Sequence, residues 1–182
     1  MKKPKYRFTG QTAISGIFHT WEIDFLGPFP TTSQGNKYIF TGIERLSGYP
    51  IAIPILSATA QSALQGILEI VTYFGIPKVI RADRNPFTSK IITKEAEALG
   101  FKMQLNPSYQ PEWVGAVERL NSSIRYSITK CIHENKKDWG SYLFGILYGL
   151  RARKAARTKE SPYFLVFGIP PQLPLKSDEI EV

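Results

Sequence analysis

The chain has 182 residues, of which 43% are hydrophobic and 21% charged, a composition typical of a folded domain that excludes a disordered or fibrous chain. Lysine and arginine outnumber aspartate and glutamate by 23 to 15, and the net charge of +8 favours a polyanionic partner such as nucleic acid. One cysteine and two histidines cannot form a four-ligand zinc site, and no apolar run reaches the roughly 20 residues of a membrane span. Neither zinc nor a membrane is therefore an expected partner.

Three short strands are predicted in the first third of the chain, after a polar leader or linker at residues 1–18. They cover residues 21–26, 37–44 and 49–55. Tight, turn-like links join them, so the sequence predicts an antiparallel meander. Pro50 and Pro54 place the third strand at an edge of the sheet, because proline has no N–H to donate to a neighbouring strand.

In the next part of the chain the pattern of hydrophobic residues changes, and predicted helices alternate with predicted strands. Helical periodicity covers residues 59–74 and 89–99, and β-type runs cover residues 78–82 and 101–105. Because a helix between two strands is a crossover connection, the fourth and fifth strands are predicted to pair in parallel.

The last predicted elements are helices over about residues 113–134 and 138–155 and a short helical turn at 162–167. Cys131 falls on the apolar face of the first of these helices and is predicted to be core. The pattern as a whole predicts an α/β domain over residues 19–156, with a mixed sheet flanked by helices. Residues 157–182 are predicted to be a C-terminal extension with a frayed tail.

Three carboxylates occupy positions that suggest a shared site. Asp24 lies inside an apolar strand, where alternation puts it on the same face as Glu22 and Leu26. Asp83 follows the fourth strand and Glu118 lies near the start of the long helix, so the three acids can meet at one edge of the sheet. Acids held together repel one another unless a cation neutralises them, and oxygen ligands suit Mg²⁺ or Mn²⁺. Taken singly, each acid has an ordinary alternative as a turn residue, a helix cap or a solvated charge.

The residues around these acids resemble the catalytic core of retroviral and gypsy-type retrotransposon integrases. The resemblance extends from about residue 21 to 175, and the order and spacing of its motifs agree with that family. The motifs are Trp21-x-x-Asp24-x-x-Gly27-Pro28, Asp83-x-x-x-Phe87-x-Ser89 and Pro111-x-x-x-Gly115-x-Val117-Glu118-Arg119-x-Asn121.

This resemblance implies an RNase H-like fold, with antiparallel strands 1 to 3, parallel strands 4 and 5, and two crossover helices. It implies that Asp24, Asp83 and Glu118 are the catalytic residues and bind two Mg²⁺ or Mn²⁺ ions. The implied function is DNA integration by metal-dependent phosphodiester cleavage and strand transfer, with DNA and further copies of the chain as partners and a nuclear location in a eukaryotic host. The residues expected to bind nucleic acid are Arg84, Trp113, Arg119, Asn121 and Arg125.

Two segments depart from the family pattern and leave alternatives open. The link from Asp83 to Phe87 is one residue short and has no glycine, and Trp113 and Val114 stand where a small polar residue is common. The chain could therefore be a decayed or co-opted copy that binds nucleic acid or protein without efficient catalysis, or a stand-alone nuclease. A basic run at residues 151–159 either contacts nucleic acid or partners, or complements the dipole of the helix before it.

Overall fold

A computed structural model describes residues 16–83, 85–106, 114–134 and 138–173 of the chain. Within these ranges every predicted strand and helix is present, with ends that differ by a few residues at most. The helix predicted to reach about residue 155 ends at Ala152, because Arg153 has an extended backbone and its N–H caps the carbonyl of Gly149. The elements are β1 (Thr20–Leu26), β2 (Tyr38–Glu44), β3 (Pro50–Ile55), α1 (Ala60–Phe74), β4 (Val79–Ala82), α2 (Lys90–Leu99), β5 (Lys102–Leu105), α3 (Gly115–Glu134), α4 (Trp139–Ala152) and α5 (Pro162–Phe167).

The five strands form one mixed sheet in the order β3-β2-β1-β4-β5. The pairs β1–β2 and β2–β3 are antiparallel, whereas β1–β4 and β4–β5 are parallel. This topology confirms the predicted meander, the parallel crossovers and the edge position of β3. Among the helices that the structure describes, none is both long enough and apolar enough to cross a membrane.

Helices cover both faces of the sheet and create two apolar cores. The first core lies between the sheet and helices α1 and α2, and its close packing requires Gly66, where an added Cβ would lie 2.4 Å from the ring of Phe40. The second core lies under α3 and α4 and contains Leu120, Ile124 and Trp139. Cys131, predicted to be core, is only half-buried at the margin of α3.

Alternation along β1 decides which side chains meet which helices. Trp21 and Ile23 enter the first core, and Phe18, which falls in the predicted leader, stacks on Trp21 with ring centroids 6.5 Å apart. Leu26 enters the second core. Because successive strand residues alternate between faces, Glu22 and Asp24 also lie on the side of α3 and α4.

Candidate active site

Asp24 and Asp83 lie side by side at the carboxyl ends of two parallel strands. Ile23 of β1 pairs with Ala82 of β4, so the next residue of each strand is an aspartate at the same level of the sheet. Neighbouring strands are about 4.8 Å apart. Because residues at the same level of neighbouring strands point to the same face of the sheet, both aspartates lie on the face that α3 covers. Asp24 is half-buried and Asp83 is exposed. The structure thus brings together the first two acids that the sequence singled out.

Glu118 lies in the first turn of α3, the helix that packs across β1 and β2. Its side chain is exposed, and its charge acts on Asp24 together with the charge of Asp83. The three predicted acids therefore share one electrostatic environment at one edge of the sheet.

Asp24 is the acid whose ionisation the site perturbs most clearly. Burial, together with the negative charges of Asp83 and Glu118, raises the pKa of Asp24 from 3.8 to about 6. The backbone N–H of Phe25 and the amide of Asn121 oppose this shift, and Asn121 Nδ2 donates to Asp24 Oδ2 at 2.8 Å. Among the residues that the structure describes, no cation compensates the ionised form of Asp24.

A fourth acid, Glu22, joins β1 to the helix that carries Glu118. Glu22 is fully buried, and its Oε2 accepts hydrogen bonds from the N–H groups of Ala116 at 2.9 Å and Val117 at 3.1 Å. Its Oε1 lies 3.0 Å from Arg45 Nη1. Burial raises the pKa of Glu22, while the charge of Arg45 and the two N–H groups oppose the shift. These contacts, the Glu22 network, satisfy free N–H groups at the start of α3.

Polar residues also continue across the sheet in two rows. In the row level with Glu22, Arg81 Nε donates to Gln104 Oε1 at 3.1 Å. In the row level with Asp24, Asn106 Nδ2 donates to Asp83 Oδ1 at 3.1 Å. Sequence reasoning placed Glu22 beside Asp24 but assigned no role to it or to these partners. The available signal was the alternation that puts charged Arg81 two residues before Asp83 in an otherwise apolar strand.

The residues predicted to bind nucleic acid lie in different environments in the structure. Arg119 and Arg125 are exposed on α3, and the guanidinium of Arg125 lies 5.8 Å from the ring centroid of Phe29. Asn121 is 9% exposed and its amide is bonded to Asp24, so it faces the acidic site and not the open surface. Arg84 and Trp113 lie outside the described residues.

The chemistry of these donors fits a hard divalent cation, since carboxylate and amide oxygens are the ligands that Mg²⁺ and Mn²⁺ prefer. Asn121 Oδ1 is buried and makes no hydrogen bond within the described part of the chain, so it is a further available oxygen. The same part of the chain contains no group of three histidine, cysteine or acidic side chains already gathered for metal binding.

A family model described as the integrase core domain matches residues 16–111, just over half of the chain, including Asp24 and Asp83. The chain belongs to this family. The integrase core domain is 35% identical over 175 residues, 92% of the chain, to the Gag-Pol polyprotein of woolly monkey sarcoma virus. It is 38% identical over 157 residues, 84% of the chain, to the Pol polyprotein of feline endogenous virus ECE1. The chain spans 10% and 15% of the lengths of these two relatives.

Solved integrase structures share the fold. The simian T-cell lymphotropic virus intasome in complex with PP2A regulatory subunit B56 gamma matches 88% of the integrase core domain and 59% of its own chain, with a TM-score of 0.73 and 19% identity. The catalytic core domain of BIV integrase matches 81% of this domain and 93% of its own chain, with a TM-score of 0.64 and 22% identity. A trimeric HTLV-2 integrase catalytic core domain in complex with magnesium also has a TM-score of 0.64, at 17% identity. The predicted RNase H-like fold is confirmed.

Replacing Asp24 with asparagine is expected to stabilise the domain at neutral pH. The folded state holds a proton on Asp24 up to about pH 6, whereas the unfolded chain releases it near 3.8, so wild-type stability falls as pH rises through this window. Asp24→Asn removes this loss, and we expect the free energy of unfolding at pH 7 to rise by about 1–2 kcal/mol after allowance for partial exposure.

Urea unfolding at pH 4 and pH 7 measures the effect, with Glu97→Gln on exposed α2 surface as the matched control. The gain should be present at pH 7 and nearly absent at pH 4. A gain of equal size at both pH values contradicts the assigned pKa.

Loss of the Glu22 carboxylate is expected to destabilise the domain strongly. Glu22→Ala leaves Arg45 and two N–H groups without their acceptor, and we expect the free energy of unfolding to fall by about 3 kcal/mol. Glu22→Gln keeps an acceptor oxygen for α3 and should lose less. The control is Glu160→Gln, which breaks the exposed pair with Lys154 and should change stability by less than about 1 kcal/mol. Equal losses for Glu22→Ala and Glu160→Gln would rule out this role for Glu22.

Proposed function

We propose that this integrase core domain is a polynucleotidyl transferase and endonuclease that cleaves phosphodiester bonds and transfers DNA strands with the help of divalent metal ions. The observation that carries the proposal is the position of Asp24 and Asp83 at one level of two parallel strands, under the same electrostatic influence as Glu118. The retroviral polyproteins to which the chain is similar support the assignment to a retroelement.

Asp24, Asp83 and Glu118 are the residues proposed to be catalytic and to hold Mg²⁺ or Mn²⁺. A bound divalent ion supplies Lewis acidity toward the phosphodiester and lowers the pKa of an attacking water or hydroxyl. The chain itself orients the ligands: Asn121 holds one oxygen of Asp24, and Asn106 holds one oxygen of Asp83. The HTLV-2 structural neighbour in complex with magnesium supports the choice of ion.

A second candidate is a decayed copy that binds DNA without efficient catalysis. The observation that favours it is the shortened link from Asp83 to Phe87, which has no glycine. Phe87 is buried against Phe25, with ring centroids 5.2 Å apart, so this link is anchored directly beside the acids. The two candidates share DNA binding and differ in chemistry.

DNA and further copies of the chain are the proposed partners. The net charge of +8 supports DNA binding, and the intasome and trimeric core among the structural neighbours support assembly of several copies. Arg119 and Arg125 are the proposed phosphate contacts because both are exposed on the helix that carries Glu118. A nuclear location remains a prediction from the resemblance.

Catalysis is tested by incubating the purified domain with end-labelled duplex DNA and millimolar Mn²⁺. Wild type should produce shortened and joined strands, and Asp83→Asn and Glu118→Gln should each reduce the rate at least about 100-fold, equivalent to about 3 kcal/mol of transition-state stabilisation. Glu97→Gln, an exposed acid on α2, should retain the wild-type rate. Binding without any product by the wild type selects the decayed copy.

DNA binding by α3 is tested by fluorescence anisotropy at several salt concentrations without metal. Arg119→Gln with Arg125→Gln should lower the slope of log K against log salt by about 2, since each lost phosphate contact removes about 0.9. Lys78→Gln with Lys102→Gln, two exposed lysines at the opposite end of β4 and β5, is the control of equal charge. An equal effect of the two pairs would mean that total charge, and not this helix face, determines binding.

A further inference from the structure

A groove of about 880 Å³ lies beside the first half of α3. Its walls are the turn after β2, the first half of α3 and the segment that follows α4. We call it the basic groove, because six cationic side chains line it: Arg45, Arg119, Arg153, Lys154, Arg157 and Lys159. The groove thus places the basic run at residues 151–159 next to Arg119, which lies on the same helix as Glu118.

Most of this positive charge has no carboxylate partner. Arg45 is paired with Glu22, and Lys154 is 3.6 Å from Glu160. Within the described residues the other four cations of the basic groove make no ion pair. The carboxylate of Glu44, which also lines the groove, accepts hydrogen bonds from the turn that follows it. The groove therefore has a cationic surface that its own acids do not neutralise.

Backbone contacts order the segment that carries several of these cations. Arg157 Nη2 donates to the carbonyl of Leu46 at 2.7 Å and joins the segment after α4 to the turn after β2. The N–H of Lys159 donates to the carbonyl of Ala155 at 2.8 Å. Lys159 has φ of 62°, in the left-handed region that residues with a side chain adopt at a cost.

We propose that the basic groove binds the phosphodiester backbone of DNA that extends away from the acidic site. Arg119 follows Glu118 directly in α3 and also lines the groove, so the two regions adjoin. Cations that line a groove next to acids proposed to cleave DNA can each contact a phosphate, and this favours DNA over an acidic peptide as the occupant. The inference rests on the proposed function, since it takes DNA as the substrate of the adjoining acids.

Arg153→Gln with Lys159→Gln tests the groove in the full chain, by anisotropy with duplex DNA in the absence of metal. The slope of log K against log salt should fall by about 2. Lys90→Gln with Lys94→Gln, two exposed lysines of α2 on the opposite face of the sheet, removes equal charge and should leave the slope near the wild-type value. An unchanged slope for the groove pair, or an equal fall for both pairs, overturns the proposal.

Lys159→Gly separates charge from folding, because glycine adopts φ of 62° without strain. This variant should melt at or above the wild-type temperature and still lower the slope by about 1. A polyglutamate peptide is the second probe. If the groove variants no longer bind the peptide but keep the wild-type slope of log K for DNA against log salt, the occupant is an acidic protein segment and the proposal is wrong.

The two proposals can fail separately. Strand cleavage by a wild type whose groove variants keep the full slope would leave the proposed function intact and refute the groove. A lowered slope in the groove variants of a domain that never cleaves DNA would support the groove and refute the catalytic proposal.

Discussion

The buried carboxylate of Glu22 is the contact on which the geometry of the acidic site depends. It lies two residues before Asp24 in β1, and it binds the N–H groups of Ala116 and Val117, just ahead of Glu118. Arg45, in the turn after β2, forms an ion pair with the same carboxylate. Because an unpaired charge in the interior costs several kcal/mol, α3 cannot slide along the sheet without losing this network. One side chain thus sets the relative positions of the elements that carry two of the acids.

Within the described residues, neutral amides orient two of the three acids. Asn121 donates to Asp24 and Asn106 donates to Asp83, whereas Arg81 lies one row lower, level with Glu22, and Arg45 is paired with Glu22. An amide directs a carboxylate oxygen without cancelling its charge. The negative potential created by two aspartates on adjacent strands therefore remains available to an external cation, and it adds to the effect of burial in raising the pKa of Asp24.

Local patterns predicted the elements of the fold, and long-range contacts explain what they could not predict. Strand alternation, helical periodicity and proline positions are local, so the ten elements and the edge position of β3 followed from them. The alignment of Asp24 with Asp83 needed the strand register, which depends on packing between distant segments. The role of Glu22 was harder still, because its partners lie 94 and 95 residues away on α3. Asn121 was predicted to bind nucleic acid, and the hydrogen bond from its amide to Asp24 is a contact that local patterns could not predict.

The prolines of β3 have a consequence for how several copies of the chain can associate. β3 has six residues, and Pro50 and Pro54 carry no N–H, so a strand added along this edge would lack two of its hydrogen bonds. The opposite edge is β5, with four residues. Short or proline-containing edge strands are one means by which proteins prevent their sheets from joining edge to edge. Both edges of this sheet therefore disfavour continuous backbone pairing with another copy, whereas the side-chain surfaces of the helices and loops carry no such restriction.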